Sequence, residues 1–169
     1  MFARLYRTPF RYTSFQLTGL VVLRVLIGWH FLYEGIAKLL NPYWTSASFL
    51  TESKWILSDL FQSIAANPTA LRVVDALNVW GLIAIGLGLL IGCFSQLASI
   101  AGMVLLLLYY VCSPPLVGYK YSMPMEGSYL IVNKVLIEMA ALLVLTLFPS
   151  SHLIGIDRLI YGPGNRGED

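Results

Sequence analysis

Four ionisable residues, Arg24, His30, Glu34 and Lys38, lie inside one apolar stretch, Leu17–Leu40. The stretch is long enough for a bilayer-crossing helix, which needs about 20 residues at 1.5 Å per residue. An ionisable group at membrane depth costs at least ~2.5–3.5 kcal/mol, so these side chains are expected to face protein or water rather than lipid. His30, Glu34 and Lys38 follow at i, i+4 and i+8, and Arg24 projects within about 40° of Lys38 on the same helix. A second apolar stretch, Leu130–Phe148, carries Asn133, Lys134 and Glu138 in its first half, and Asp75 and Asn78 lie at the start of a third. With Leu40 and Leu130 as boundaries, Glu34 is about 9 Å deep and Glu138 about 12 Å, each with a lysine four residues nearer the surface. Polar groups from three helices are therefore expected to converge in the outer half of the bilayer.

Two readings of this cluster compete. In the first, Glu34–Lys38, Lys134–Glu138 and diagonal pairs neutralise one another and fasten the helices together. In the second, two carboxylates at similar depth in a low-dielectric site cannot both stay ionised cheaply, so one can exchange a proton near neutral pH. Glu34 and Glu138 would then be the catalytic groups. Lys38 and Lys134 would hold an anionic headgroup or substrate, with His30, Asp75, Asn78, Asn133 and Tyr129 as further ligand contacts. Such a site suits a quinol or a small oxidisable anion. Arg24, about 24 Å from the Leu40 boundary, reads either as an anchor reaching the opposite headgroups or as a group that orders that end or meets a second ligand. His30, near mid-membrane, has no second His or Cys at ligand spacing, so neither a metal nor haem is indicated.

The elements that must position these residues follow from composition. The chain has 169 residues, of which 57% are hydrophobic and only 12% charged, against about 25% charged in soluble domains. A net charge of +2 and no basic patch exclude a nucleic-acid partner. The expected fold is all-α, an integral membrane four-helix bundle with spans at 17–40, 76–92, 94–112 and 130–148. An amphipathic interfacial helix over Glu52–Ala65 is expected between the first two spans. Asn67-Pro68 forms a helix start, with Asn at the cap and Pro at the first position. Gly88-x-x-x-Gly92 and the facing Ala98 and Gly102 have the small-residue spacing of close helix contact. Cys93 and Cys112, at opposite ends of one span, are too far apart for a disulfide. The basic segment 1–16, with Arg4, Arg7 and Arg11, places the N terminus in the cytoplasm, and four spans return the tail 149–169 to the same side.

The run Arg24-Val-Leu-Ile-Gly28-Trp-His-Phe-Leu-Tyr-Glu-Gly35-Ile-Ala-Lys38 resembles the opening helix of DoxX-like proteins. The pattern is an Arg, a Gly four later, an aromatic, then Gly-x-x-Lys. The Gly-rich second span after Asn78 and the polar fourth span are similar to that family as well. Residue by residue, the resemblance reaches Arg24, Gly28, Gly35 and Lys38. It implies a small protein of the bacterial cytoplasmic (inner) membrane, related to the membrane subunit of thiosulfate:quinone oxidoreductase, which passes electrons from a sulfur anion to quinone. Other family members look like partners of redox or detoxifying proteins. The leading expectation is thus a quinone-binding membrane subunit of a redox complex, with quinone as cofactor and a partner protein or a second copy beside it. The alternatives are a non-catalytic assembly or anchoring subunit and a small proton-coupled carrier.

Overall fold

The computed structural model describes residues 12–116, 118–119, 121–122 and 130–161. Among these residues every regular element is a helix: α1 (Ser14–Leu40), α2 (Ala47–Thr51), α3 (Ser58–Ala66), α4 (Pro68–Ile91), α5 (Ser95–Cys112), α6 (Lys134–Leu147) and α7 (Asp157–Tyr161). Three of them, α1, α4 and α5, are long and apolar enough to cross a membrane. Residues 1–11, the loop positions 117, 120 and 123–129, and 162–169 lie outside the described residues, and with them the expected ligand contact Tyr129.

Local chemistry sets the helix ends. Thr13 and Gln16 form a capping box, so α1 begins three residues before its apolar run. Asn67 Oδ1 accepts from the Thr69 and Ala70 amides at 3.0 and 3.2 Å, with Pro68 at the first helical position, as the sequence predicts. The expected span Leu130–Phe148 is helical only from Lys134. Asn133 Oδ1 caps the Leu136 amide at 3.0 Å, and Leu130 takes a left-handed φ of 66°. At 14 residues, about 21 Å, α6 is shorter than a hydrocarbon core of about 30 Å. The expected amphipathic helix Glu52–Ala65 is likewise corrected: of the two short helices α2 and α3, only α3 falls in that range, and residues 52–57 form the break between them. Asp75 fixes the first of these by accepting from the Ser46 amide and hydroxyl and from the Thr45 hydroxyl. Glu52 is drawn away to the Ser122 amide at 2.8 Å.

One core, Ile27, Phe31, Leu82, Ile85, Leu89, Ala98, Leu106, Leu142 and Leu145, draws on α1, α4, α5 and α6. The closest approach is between α1 and α4. A Cβ on Gly86 would lie 2.5 Å from the Leu32 amide nitrogen and 2.8 Å from the Gly28 carbonyl, and one on Gly28 would lie 2.9 Å from the Leu90 nitrogen. Two backbones thus touch where apolar side chains gain nothing over lipid, and dispersion between close surfaces holds the pair. Gly88 does face Ala98 across the α4–α5 contact, where an added Cβ would lie 3.1 Å from the Ala98 Cβ, but the tightest contact is this other pair. A smaller cluster, Leu50, Phe61 and Cys112, seats α2 and α3 as a cap over one end.

The opposite end is closed by the segment after α6. Arg24, 4% exposed, donates from Nη1 to Ser150 Oγ at 3.2 Å and from Nη2 to the Ile154 carbonyl at 2.8 Å. Asp157, fully buried, accepts from the Phe94 and Ser95 amides at 2.6 and 3.1 Å. It therefore caps α5 from more than sixty positions away, which satisfies orphan amides and sets a carboxylate against the positive end of that helix. Gly92, with φ +66°, ends α4 in the left-handed conformation and lies against Gly155. Two outcomes follow for thermal unfolding in detergent. Gly86→Ala should destabilise the fold by about 1–3 kcal/mol through overpacking, whereas Gly81→Ala, with open space around it, should not. Asp157→Ala should destabilise by ~1–3 kcal/mol, because two buried amides lose their acceptor.

Candidate functional site

A cavity of about 180 Å³ lies near the capped end, lined by His30, Phe31, Glu34, Lys38, Leu82, Leu106, Tyr109, Lys134, Val135 and Glu138. Helical spacing delivers His30, Glu34 and Lys38 from one face of α1 and Lys134 and Glu138 from one face of α6. Phe31, Leu82 and Leu106 form the apolar floor. The lining residues that are most open, Lys134, Glu34 with 46% of its side chain exposed and His30 with 34%, belong to α1 and α6. The mouth therefore opens at the seam between those two helices, which touch far less than α1 and α4 do.

His30 Nδ1 and Glu138 Oε1 are 2.6 Å apart and bridge this seam. An ionised Glu138 would hold the proton on Nδ1 and leave Nε2 as the position that varies. Lys38 Nζ is 3.8 Å from Glu34 Oε2, 3.4 Å from Asn78 Oδ1, and over the rings of Trp44 at 5.3 Å and Tyr109 at 5.5 Å. It is enclosed by a carboxylate, an amide and two aromatic faces, which compensates a buried ammonium. Asn78 Nδ2 donates to Tyr109 Oη at 2.6 Å.

The expected convergence is thus partly found. His30, Glu34, Lys38, Lys134 and Glu138 line one cavity, and Asn78 stands behind it through Lys38 and Tyr109. The partner of Glu138 is His30, in place of the expected Lys134. Three expected contacts lie elsewhere. Asp75 is not among the cavity's lining residues and holds the start of α2, its carboxylate accepting from Thr45 and Ser46. Asn133 spends its side chain on the α6 cap. Arg24 is at the far end, tied to Ser150 and Ile154, and orders that end as one of its two readings proposed. Tyr109 was not among the expected residues; its place near the end of an apolar helix makes it look like an interfacial aromatic, and only the Asn78 contact reveals otherwise. Among the described residues no three His, Cys, Asp or Glu side chains gather into a metal-holding group.

Removing the acceptor of His30 tests the bridge. Glu138→Leu should lower the thermal midpoint, at a cost of about 1–3 kcal/mol for a stranded donor. Glu138→Gln, which still accepts from the imidazole, should recover most of that loss.

The family model described as DoxX matches residues 19–113, more than half of the chain. That stretch runs from α1 through α5 and includes the Gly28–Gly86 contact and the α1 wall of the cavity. No curated protein and no solved structure matches the chain. With three helices long enough to cross a membrane and this match, the chain is an integral membrane protein that belongs to the DoxX family.

Proposed function

We propose that this DoxX-family protein is a quinone-binding membrane subunit of a redox complex, and that the cavity between α1 and α6 receives the quinone ring. One observation supports the reading: ionisable side chains of α1 and α6 line a ring-sized, largely apolar space whose open side is the seam between those two helices. Elsewhere, a dry cavity of about 150 Å³ holds a benzene ring, so about 180 Å³ fits a single six-membered headgroup. The mouth at the seam lets an isoprenoid tail lie in lipid while the ring sits inside. A quinone there supplies a carrier of two electrons and two protons, the electrons coming from a redox centre on a partner protein.

The roles of this chain's own side chains follow from their positions. Phe31, Leu82, Leu106 and Val135 give the ring a water-poor surface. Glu138 orients His30, whose Nε2 is free of that bridge and can hold or release a proton at the cavity. Glu34, half exposed at the mouth, is the group through which protons pass between the cavity and the surface at the capped end. Lys38 and Lys134 keep the site from accumulating negative charge when the carboxylates are ionised. Arg24, Asp75 and Asn133 serve as structural supports. The short helix α6, together with Leu130–Asn133, is taken as a fourth crossing. Both termini then lie on one side, the cytoplasmic side of the bacterial inner membrane given the three arginines of residues 1–11.

A second reading rests on the exposure of Glu34, His30 and Lys134, which at membrane depth would be costly against lipid. In that reading a partner chain covers the seam, and the protein is an assembly subunit with no ligand of its own. The two are separated with the purified protein in lipid nanodiscs, titrated with a decyl-tailed ubiquinone analogue and followed by tryptophan fluorescence. The quinone reading expects saturable binding at one site, lost in Val135→Trp, whose side chain fills the cavity. It also expects Glu34→Gln/Glu138→Gln to lose quinone-dependent electron transfer in native membranes while remaining folded. No saturable binding, or unchanged transfer in the double variant, overturns it; a stoichiometric partner held by that variant supports the assembly reading.

A further inference from the structure

We infer that Tyr109 is the hydrogen-bond donor that grips a carbonyl oxygen of the ring ligand, an assignment that rests on the quinone reading of the cavity. The argument concerns which way protons point. Lys38 Nζ carries only donors, so the Asn78 atom that faces it at 3.4 Å is the carbonyl oxygen. The Asn78 amide nitrogen is thereby turned to Tyr109 Oη at 2.6 Å. That nitrogen also carries only donors, so the tyrosine oxygen accepts. A phenol, with an ordinary pKa of about 10, keeps its proton at neutral pH. The Tyr109 proton must therefore aim away from Asn78.

Among the described residues Tyr109 Oη makes one hydrogen bond, the one it accepts from Asn78, so its own proton is not spent on a protein acceptor in this structure. Tyr109 lines the cavity, so this donor has the cavity as its outlet. Partly buried donors are rarely left unmatched, and whatever fills the space should bring an acceptor. Two further features shape that acceptor. Lys38 sits 5.5 Å from the Tyr109 ring centre, and a cation over the ring draws electron density from the phenol, which makes its O–H a stronger donor. The neighbouring walls Phe31, Leu82 and Leu106 are apolar, so an oxygen carried on a flat, uncharged ring matches better than a compact hydrated anion. The relay Glu34–Lys38–Asn78–Tyr109 fixes the direction of the donor before a ligand arrives, which spares binding the cost of orienting it.

The test uses the intact protein in nanodiscs with the decyl-tailed ubiquinone analogue, carbon-13 labelled at the ring carbonyls. Wild type should bind it and shift one carbonyl stretch to lower wavenumber in infrared difference spectra. Tyr109→Phe, nearly isosteric, should keep the thermal midpoint, weaken binding about tenfold and lose that shift. Asn78→Leu, which frees the tyrosine hydroxyl to rotate, should weaken binding less and broaden the same band. If wild type binds and Tyr109→Phe leaves the carbonyl band unchanged, the donor assignment is wrong while the cavity reading stands, even where affinity falls through lost packing. If wild type shows no saturable binding, both fall. If thiosulfate at millimolar concentration displaces the quinone from wild type but not from Tyr109→Phe, the hydroxyl serves an anion, and the carbonyl assignment is overturned.

Discussion

The contact of Gly28 with Gly86 is the constraint on which the arrangement depends. In lipid, apolar side chains gain nothing from leaving water, so two helices adhere by surface contact alone, and a missing Cβ on each permits the approach. Once α1 lies against α4 at that height, the rotation of α1 is settled. Gly28, Phe31 and Gly35 turn inward to α4 and the core. The stripe His30, Glu34 and Lys38 is carried to the adjoining flank, where α6 and the end of α5 complete the enclosure. The polar face is therefore placed by the least polar residues of the helix.

Within that frame the charges sort themselves by available partners. Buried ion pairs contribute little net stability, and their value is in specifying an arrangement. Here His30 and Glu138 tie α1 to α6 across a seam much looser than that of α1 with α4. Lys38, by contrast, is sealed by Glu34, Asn78 and two aromatic rings. The same cluster thus spans a close α1–α4 pairing and an open α1–α6 seam, α6 itself being held from the other side by α5.

How much of this was legible in the sequence depends on range. The charged stripe of α1, the Asn67-Pro68 start and the apolar lengths of α1, α4 and α5 follow from local spacing and cap chemistry. Meeting of Glu34 and Glu138 at one cavity was readable from depth arithmetic on two helices. Partner identity was not. His30 with Glu138, Arg24 with Ser150, and Asp157 with Phe94 and Ser95 join residues from 62 to 126 positions apart, and no periodicity encodes such pairs. α6 starts four residues later than the apolar Leu130, Ile131 and Val132 predict, because Asn133 caps the helix by satisfying the Leu136 amide. Asp75 and Asn133 look like site residues by type, and only local donors reveal their structural use. Tyr109 escaped because its aromatic character hides a hydroxyl whose direction is fixed from a different helix.

The capping of α5 by Asp157 bears on how the chain is made. Synthesis runs from the N terminus, so α1 is inserted with Arg24 long before Ser150, Ile154 and Asp157 leave the ribosome. Until then a guanidinium and two helix-end amides have no protein partners, and the insertion machinery or headgroup water must shelter them. This closure waits for the segment after α6, and a nascent chain cut short of Ser150 would present to membrane quality control the charge that the folded protein conceals.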